Sequence, residues 1–283
     1  MSVVASIQWA PQKKAVQANL DRMAEMALQA HGEGADLVVF PETSTTGYFL
    51  EGGVLECSLR KDQLGAEFTK RLGSLSRPLD IAFGFYEEAD GELYNSAAYL
   101  ECSSSGVRVV EVYRKFFLPT YGVFDEERFV GRGKELSVFE TRFGKVSMLI
   151  CEDIWHSILP TICAVRGAQL LIVPSASPAR GFSGEKPSNV CKYEQLLCAI
   201  AEEHGVFVVN SMLAGYEGGK GFPGGSMIVD PSGEILAQGP IQEEHIVLAE
   251  IDFGKVELTR SRAPLLADLR AAWGDVVRAA EQS

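Results

Sequence analysis

The chain has 283 residues, with 26 lysine and arginine residues against 38 aspartate and glutamate residues, so its formal net charge is −12. Hydrophobic residues make up 46% of the chain and charged residues 23%, which excludes a disordered or collagen-like protein. The acidic balance argues against a nucleic acid partner and against docking on an anionic membrane, because both need a basic surface. The apolar runs are far shorter than the roughly 20 residues that a bilayer requires, so we expect no membrane span.

Cysteine and histidine usage indicates a reduced compartment and no metal. The six cysteines include no C-x-x-C pair, so the sequence predicts neither a disulfide framework nor a zinc site. The four histidines are scattered, and no H-E-x-x-H motif occurs. The first nine residues lack the basic region of a signal peptide and are typical of a strand. We therefore expect a cytoplasmic protein.

Hydrophobic periodicity predicts strands and helices that alternate at both ends of the chain, with hairpins in the middle. The predicted strands cover residues 3–9, 36–40, 81–86, 94–100, 107–113, 136–140, 145–150, 169–173, 206–210, 227–229 and 245–251. The predicted helices cover residues 15–30, 63–76, 154–166, 189–203 and 263–280. The glycine-rich stretch 215–225 is expected to be a surface hairpin loop. No linker divides the chain, so we expect one α/β domain over residues 1–283 with mixed sheets.

Two segments place a charged side chain at the carboxyl end of an apolar strand, where ligand sites of α/β folds tend to lie. Glu42 follows the strand at 36–40 and a proline, so partial desolvation would raise its pKa toward that of a general base. Lys115 follows the strand at 107–113 among aromatic residues, where a fixed ammonium can stabilise developing negative charge. Taken singly, Glu42 is equally well explained as a cap, and Lys115 as a solvated surface charge.

A third segment carries a nucleophile. A mostly apolar strand runs directly into Cys151, and a helix is predicted to begin within a few residues. Amide groups at that helix start would favour the thiolate, lower the pKa of the thiol and form an oxyanion site. Taken singly, such a cysteine is also explained as a small buried hydrophobe. Three other cysteines are predicted to pack inside helices: Cys163, Cys191 and Cys198.

Together, Glu42, Lys115 and Cys151 form a complete set for acyl transfer. The thiol attacks, the carboxylate moves protons, and the ammonium holds the tetrahedral oxyanion. Competing chemistries lack their motifs, since the sequence has no G-x-S-x-G, no dinucleotide-binding or P-loop glycine pattern, and no metal-ligand spacing. The alternative class is a non-catalytic binding protein. Such a protein would be free to lose one of the three residues, and all three are present.

The motifs P-E at Glu42, K-x-x-L-P at Lys115 and C-E-D-x-W at Cys151 occur in an order that resembles the nitrilase superfamily of carbon–nitrogen hydrolases. Further matches at Gln8 and at residues 174–178, 210–211, 225–226 and 230–233 extend the resemblance over essentially the whole chain. The resemblance implies a four-layer α-β-β-α sandwich and a homodimer or higher homo-oligomer. It also implies hydrolysis of a small-molecule amide to a carboxylic acid and ammonia, without a metal or organic cofactor.

The resemblance also implies a role for each site residue. Cys151 would form a thioester, Glu42 would carry protons, and Lys115 with the backbone N–H after Cys151 would stabilise the oxyanion. Glu126 would position the amide or the water, as the second glutamate of the superfamily does. A nitrile is the alternative substrate class.

Within the superfamily, residues 118–129 and 151–155 are most similar to the glutaminase domain of glutamine-dependent NAD synthetases. The ATP-dependent synthetase domain of those enzymes has an S-G-G-x-D-S loop that does not occur here, which implies a free-standing amidase or the ammonia-supplying subunit of a separate synthetase. By the same resemblance, three residues contact the substrate: Tyr121, Glu152 and Ser177. The arginine that holds the amino-acid end of glutamine is replaced by Ser183. Glutamine is therefore expected to be a poor substrate unless Arg180 or Lys186 substitutes.

Overall fold

Two six-stranded mixed sheets form the centre of the computed structural model, which describes residues 1–50, 52–183 and 186–282. The strands in chain order are β1 (Ser2–Gln8), β2 (Leu37–Val39), β3 (Leu79–Ala89), β4 (Glu92–Ser103), β5 (Gly106–Arg114), β6 (Phe139–Thr141), β7 (Gly144–Met148), β8 (Leu170–Ser175), β9 (Phe182–Ser183), β10 (Lys186–Pro187), β11 (Phe207–Met212), β12 (Ala214–Glu217), β13 (Lys220–Pro223), β14 (Met227–Val229), β15 (Ile235–Gln238) and β16 (His245–Ile251).

The helices lie between and after these strands. They are α1 (Val16–Gly32), α2 (Val54–Cys57), α3 (Lys61–Leu72), α4 (Ile158–Val165), α5 (Ser188–His204), α6 (Gly254–Arg262) and α7 (Leu265–Glu281). Two short 3-10 helices cover Glu126–Arg128 and Cys151–Trp155. Within the described residues, no helix is both long enough and apolar enough to cross a bilayer.

Each large sheet has three parallel strands at its centre. The first sheet has the order β16-β1-β2-β3-β4-β5, in which β1, β2 and β3 are parallel and the remaining pairs are antiparallel. The second has the order β15-β14-β11-β8-β7-β6, in which β7, β8 and β11 are parallel. Parallel strands place their carboxyl ends at one edge, so the residues that follow β2, β7 and β8 come from sheet edges suited to a shared site.

The core is layered because side chains alternate between the two faces of each strand. Ile7 of β1, with Val38 and Phe83 of its sheet, packs against α1 and α3 through apolar residues such as Leu20 and Phe68. The opposite face of the first sheet contacts the second sheet through residues such as Val4, Val39, Tyr99, Met148 and Ile172. Helices α4 and α5 cover the outer face of the second sheet with residues such as Leu159, Cys163, Leu197 and Ala201. The architecture is thus the expected α-β-β-α sandwich.

Most predicted elements are present, and the differences have local causes. The helix predicted at 154–166 is a 3-10 turn followed by α4, because Cys151 has a left-handed φ of +46° and the Asp153 carboxylate accepts the N–H of Ile150. The helix predicted at 263–280 is α7, and a separate α6 ends before Pro264. The strand predicted at 136–140 is reduced to Phe139–Thr141. The glycine-rich stretch is the β12–β13 hairpin, as predicted.

Candidate active site

Glu42 lies on the turn that follows β2 and is fully buried. The turn lies directly against β3, where Gly84 makes a close approach possible. A Cβ at Gly84 would come within 2.5 Å of both the Glu42 Cα and the Thr43 nitrogen. Thr43 itself has a left-handed φ of +50°. The backbone around Glu42 is therefore held in an uncommon conformation that depends on a glycine in the neighbouring strand.

Lys115 follows the last residue of β5 and is also fully buried. Its backbone N–H donates to the Asn95 carbonyl at 2.8 Å, which extends the pairing of β5 with β4. Its Nζ lies 2.7 Å from Oε1 of Glu42 and 2.6 Å from Oε1 of Glu126. Lys115 is therefore a buried cation that two carboxylates share.

Two neutral side chains hold the carboxylates in place. The Asn95 Nδ2 donates to Glu42 Oε1 at 2.8 Å and to Glu126 Oε2 at 3.3 Å. The Tyr48 hydroxyl donates to Glu126 Oε1. Glu42 Oε2 is buried and has no hydrogen-bond partner among the described residues. One oxygen of Glu42 thus remains available to accept a proton.

Burial and charge set the protonation of this cluster. Burial raises the pKa of Glu42 to about 7, with the Lys115 charge opposing the shift and the Glu126 charge adding to it. Burial works against the charge on Lys115, but Glu126 and Glu42 outweigh it, so the pKa of Lys115 lies well above its ordinary value. Lys115 therefore stays charged near neutral pH, whereas Glu42 exists in both protonation states. The direction of the Glu42 shift agrees with the sequence-based expectation.

Cys151 follows β7 and is buried. Its Sγ lies 3.9 Å from the Ala176 carbonyl oxygen, which accepts from the thiol, and 3.2 Å from the Tyr193 hydroxyl. The expectation that the pKa of the thiol is lowered is wrong. Burial raises the pKa of Cys151 strongly, the Glu42 charge raises it further, and Lys115 and Tyr193 offset only part of the shift. No regular helix starts here to lower it, because Cys151–Trp155 form only a 3-10 turn.

Asp153 joins the segment that contains Lys115 to the segment that contains Cys151. Its Oδ1 accepts the N–H groups of Phe116 and Phe117 at 3.1 and 2.9 Å, and its Oδ2 accepts the Ile150 N–H at 2.9 Å. The Tyr113 hydroxyl donates to Oδ2 at 2.7 Å. Since Asp153 is fully buried, these bonds fix the relative position of the two segments in a dry environment.

Two of the three residues expected to contact substrate lie together. The Tyr121 hydroxyl donates to Glu152 Oε2 at 2.9 Å, and the Tyr121 side chain is about half exposed. Ser177 is buried apart from this pair, with its Oγ accepting from Asn189 Nδ2 at 3.1 Å. Ser177 follows Ala176, whose carbonyl contacts Cys151, so it still lies on the loop that borders the thiol.

The two cations that were candidates to replace the missing arginine differ in their surroundings. Lys186 Nζ forms an ion pair with Glu194 Oε1 at 2.7 Å, so Glu194 already neutralises its charge. The exposed Arg180 guanidinium lies 5.3 Å from the centre of the Phe124 ring. Arg180 also lines a cavity of about 360 Å³ together with Lys220 on the β12–β13 hairpin. Ser183 belongs to β9.

A second cavity, of about 520 Å³, lies beside the carboxylate cluster and is lined by Tyr48, Tyr86 and Glu126 among others. The β12–β13 hairpin borders it through Lys220. The hairpin also fixes the Tyr48 loop, because the Glu217 carboxylate accepts the N–H groups of Tyr48 and Phe49 at 2.9 and 2.6 Å. The glycine-rich stretch therefore supports the site.

Sequence reasoning missed four polar residues of this site: Tyr48, Asn95, Asp153 and Tyr193. Asn95 and Tyr193 lie within a predicted strand and a predicted helix, where they gave no signal of their own. Asp153 was visible inside the C-E-D-x-W motif, but the sequence carried no sign that it contacts residues 116 and 117. Within residues 1–50, 52–183 and 186–282, no three His, Cys, Asp or Glu side chains are grouped to hold a metal ion.

Comparison with known proteins identifies the family. The family model described as carbon-nitrogen hydrolase matches residues 3–261. The chain belongs to the carbon–nitrogen hydrolase family. The glutamine-dependent NAD(+) synthetase of Thermotoga maritima is 34% identical over 241 residues, which are 83% of this chain and 39% of that protein. This chain spans only about two fifths of the length of the first such curated relatives.

Two smaller carbon–nitrogen hydrolases match over nearly their whole length. The N-carbamoylputrescine amidase of Solanum tuberosum is 26% identical, with 91% of this chain and 88% of that protein covered. An amidase from Nesterenkonia sp. AN1 superposes with a TM-score of 0.75 at 25% identity, over 97% of this chain and 95% of that one. That structure, of a glutamate-to-glutamine mutant, shows the acetamide moiety of fluoroacetamide added covalently at the active-site cysteine. These similarities confirm the nitrilase-superfamily assignment and that the chain is a carbon–nitrogen hydrolase.

Proposed function

We propose that the protein hydrolyses a small-molecule amide to a carboxylic acid and ammonia through a thioester on Cys151. The buried cluster of Glu42, Lys115 and Glu126 carries this proposal, because the charges of Glu42 and Lys115 act on the Cys151 sulfur. The cluster supplies a proton acceptor and a fixed cation next to a nucleophile. Amide hydrolysis through a thiol ester needs those three functions.

In the proposed first half-reaction, ionised Glu42 takes the proton from the Cys151 thiol. The sulfur electron pair forms a bond to the amide carbon, and the carbonyl electrons move to oxygen. Lys115 and the backbone N–H that follows Cys151 stabilise that oxyanion. The oxyanion then collapses, the C–N bond breaks, and Glu42 returns its proton to the departing nitrogen as ammonia.

In the second half-reaction, Glu42 takes a proton from water, and the resulting hydroxide attacks the thioester carbon. Collapse of the tetrahedral intermediate breaks the C–S bond, and the sulfur recovers a proton through Glu42. Glu126, which Tyr48 and Asn95 hold in place, positions the amide or the water beside Lys115. The residues of the chain provide every proton transfer in this cycle.

The substrate is proposed to be a small amide, with Tyr121, Glu152 and Ser177 as contacts. The pairing of Lys186 with Glu194, and the exposure of Arg180, argue against a tightly held α-carboxylate. We therefore expect glutamine to be a poorer substrate than a simple or ω-amide. The similarity to glutamine-dependent NAD(+) synthetases supports a second candidate, in which the chain is a glutaminase that supplies ammonia to a synthetase. A nitrile is the third substrate class.

Ammonia release from a panel of small amides, nitriles and glutamine tests these alternatives. Wild-type protein should release ammonia from at least one simple amide, with a kcat/KM for glutamine no higher than that for the best amide. Cys151→Ala should release none, whereas Cys198→Ala, a matched change at a partly buried cysteine on α5, should keep wild-type activity. A glutamine advantage above about tenfold, or about 1.4 kcal/mol of transition-state discrimination, would establish the glutaminase instead.

Three broader expectations accompany this proposal: one domain over residues 1–283, a homodimer or higher homo-oligomer, and a cytoplasmic location. Light scattering during size-exclusion chromatography tests the second directly. A mass near twice 30.8 kDa or above is expected, and a mass of one chain at working concentrations would contradict it.

A further inference from the structure

We infer that Tyr193 is a catalytic residue whose hydroxyl donates a hydrogen bond to the Cys151 sulfur. This hydrogen bond stabilises the thiolate when the S–H bond breaks during acylation and when the C–S bond breaks during deacylation. The inference rests on the proposed function, because it assigns a partner to the proposed nucleophile. Tyr193 lies on α5, outside the three motifs that carry the family resemblance.

The geometry at the sulfur decides which atom donates. The Tyr193 oxygen lies 3.2 Å from Cys151 Sγ, and both residues are buried. The Ala176 carbonyl oxygen, 3.9 Å from the sulfur, can only accept, so it takes the thiol hydrogen. The phenol hydrogen is then directed at the sulfur. Within the described residues, Tyr193 is the one hydrogen-bond donor in contact with Sγ.

Trp155 supports the same direction of this hydrogen bond, with Tyr193 as the donor. The Trp155 ring meets the Tyr193 ring edge-on, with centroids 5.5 Å apart and an interplanar angle of 86°. An indole N–H can only donate, and the Trp155 side chain lowers the pKa of Tyr193, as a donor near the phenol oxygen does. Burial nonetheless keeps the pKa of Tyr193 well above its ordinary value, so the phenol retains its proton. Tyr193 is therefore a permanent neutral donor.

The charges around the sulfur explain why a neutral donor is needed. Burial and the Glu42 carboxylate both oppose a negative sulfur, and Lys115 is already shared between Glu42 and Glu126. The groups that face Cys151 are thus Glu42 from the loop after β2, Lys115 from the end of β5, and Tyr193 from α5. As Glu42 takes the thiol proton, the phenol hydrogen bond strengthens toward the thiolate, and the sulfur electron pair then forms the bond to the acyl carbon. Tyr193 keeps its own proton throughout.

The same contact acts in the second half-reaction. When hydroxide adds to the thioester and the tetrahedral intermediate collapses, the C–S bond breaks and the electron pair returns to sulfur. The phenol again faces that charge until Glu42 reprotonates the sulfur. A hydrogen bond to a charged group contributes a factor of about ten to a hundred. Loss of the Tyr193 hydroxyl should therefore slow both acylation and deacylation by that amount.

The test compares Tyr193→Phe with Tyr99→Phe, a control that also removes one buried hydroxyl, in this case one that donates to Asp80 on the first sheet. The rate of iodoacetamide alkylation is followed at the Cys151 peptide by mass spectrometry from pH 6 to 10. For Tyr193→Phe we expect an alkylation rate about tenfold lower throughout this range, which is equivalent to a shift of the rate–pH profile by about one unit to higher pH, and kcat reduced with KM nearly unchanged. Tyr99→Phe should match the wild type in all three.

A second Tyr193 variant distinguishes a structural effect from a catalytic one. Replacement of Tyr193 by 3-fluorotyrosine, a stronger donor of nearly the same shape, should raise the alkylation rate and shift the rate–pH profile to lower pH. An unchanged alkylation profile in both Tyr193 variants would overturn the inference, even if the phenylalanine variant melts at a lower temperature. Alkylation forms a C–S bond at the iodomethyl carbon, displaces iodide and requires no amide hydrolysis, so this result stands apart from the proposed function, which fails if Cys151→Ala still releases ammonia.

Discussion

The Nζ of Lys115 lies 2.7 Å from Oε1 of Glu42, and both side chains are completely buried. The same ammonium lies 2.6 Å from Glu126, so one cation neutralises two carboxylates. With both carboxylates ionised, the three buried groups carry one net negative charge. Burial disfavours that charge and protonation of Glu42 removes it, so burial, with a further contribution from the Glu126 charge, raises the pKa of Glu42 to about 7. The pKa of the proton acceptor in the proposed mechanism thus lies near neutral pH.

The pH dependence of kcat/KM follows from this arrangement. Glu42 must be ionised to accept the thiol proton, so kcat/KM for the best amide should fall as the pH is lowered through about 7. The midpoint belongs to the coupled carboxylate–lysine cluster as a whole. Glu42→Gln should reduce kcat by about 10²–10⁴-fold. An acid limb centred near pH 4.5, the ordinary value for a glutamate, would show that Glu42 is not the base.

Lys115→Met should destabilise the protein in a pH-dependent way. Removing one partner of a buried ion pair typically costs about 3–5 kcal/mol, and here it leaves two carboxylates without their cation. The pKa of Glu42 then rises further in the folded state, because its neighbouring cation is gone. A raised carboxyl pKa gives stability that is lost as the pH increases, so the destabilisation should be larger at pH 8 than at pH 5.

Urea unfolding at both pH values measures this effect. Lys145→Met is the matched control, because Lys145 is half exposed on β7 and its contact with Glu140 is 3.8 Å long. The control should change the free energy of unfolding by less than about 1 kcal/mol. Equal destabilisation of Lys115→Met at pH 5 and pH 8 would mean that the buried carboxylates do not depend on this lysine.

Gly84→Ala should impair activity through the backbone of Glu42. The new Cβ would lie 2.5 Å from the Glu42 Cα, so the turn after β2 must move. Overpacking of this kind typically costs about 1–3 kcal/mol, and a displacement of about 1 Å at a catalytic group can cost about 10²-fold in rate. Gly32→Ala, where the added Cβ meets no atom within 4 Å, is the control and should keep full activity. Steady-state amide hydrolysis by both variants measures the difference, and wild-type activity in Gly84→Ala would contradict the close approach.

Asp153→Ala should lower both stability and turnover. It removes the acceptor of three backbone N–H groups and of the Tyr113 hydroxyl in a fully buried site, and each orphaned donor costs about 1–3 kcal/mol. We expect a loss of at least about 3 kcal/mol in denaturant unfolding, with a smaller loss for Asp153→Asn, which keeps one acceptor oxygen. If the alanine variant unfolds like the wild type, Asp153 does not hold residues 116 and 117 to Ile150.

The sequence predicted the positions of Glu42, Lys115 and Cys151 because each follows an apolar strand, and strand ends can be read from local hydrophobicity. It did not predict Tyr193, since a tyrosine on a helix face has the same pattern whether it packs or contacts a sulfur. The sequence also did not predict the direction of the Cys151 pKa shift. A helix start near Cys151 suggested a lowered pKa, but the actual value depends on burial by β8 and α5 and on the charge of Glu42, which come from distant parts of the chain.

The predicted boundaries of helices and strands are wrong where tertiary contacts override local conformational preference. Residues 154–166 have a helical pattern, yet Cys151 and Asp153 hold residues 151–155 in a 3-10 turn, and α4 begins only at Ile158. Strand β15 was missed because all four of its residues are half buried and show no alternation. The parallel centre of each sheet and the pairing of the two sheets depend on contacts between strands far apart in sequence, which local periodicity does not specify.

Mass spectrometry of the protein during turnover detects the proposed thioester on Cys151 directly. The wild-type enzyme and Glu42→Gln are mixed with the best amide, quenched in acid within milliseconds to minutes, and digested. We expect an adduct equal to the substrate acyl group on the peptide that contains Cys151, with ammonia released in step with adduct formation. Ammonia release without any adduct at Cys151, or undiminished release by Cys151→Ala, would contradict it.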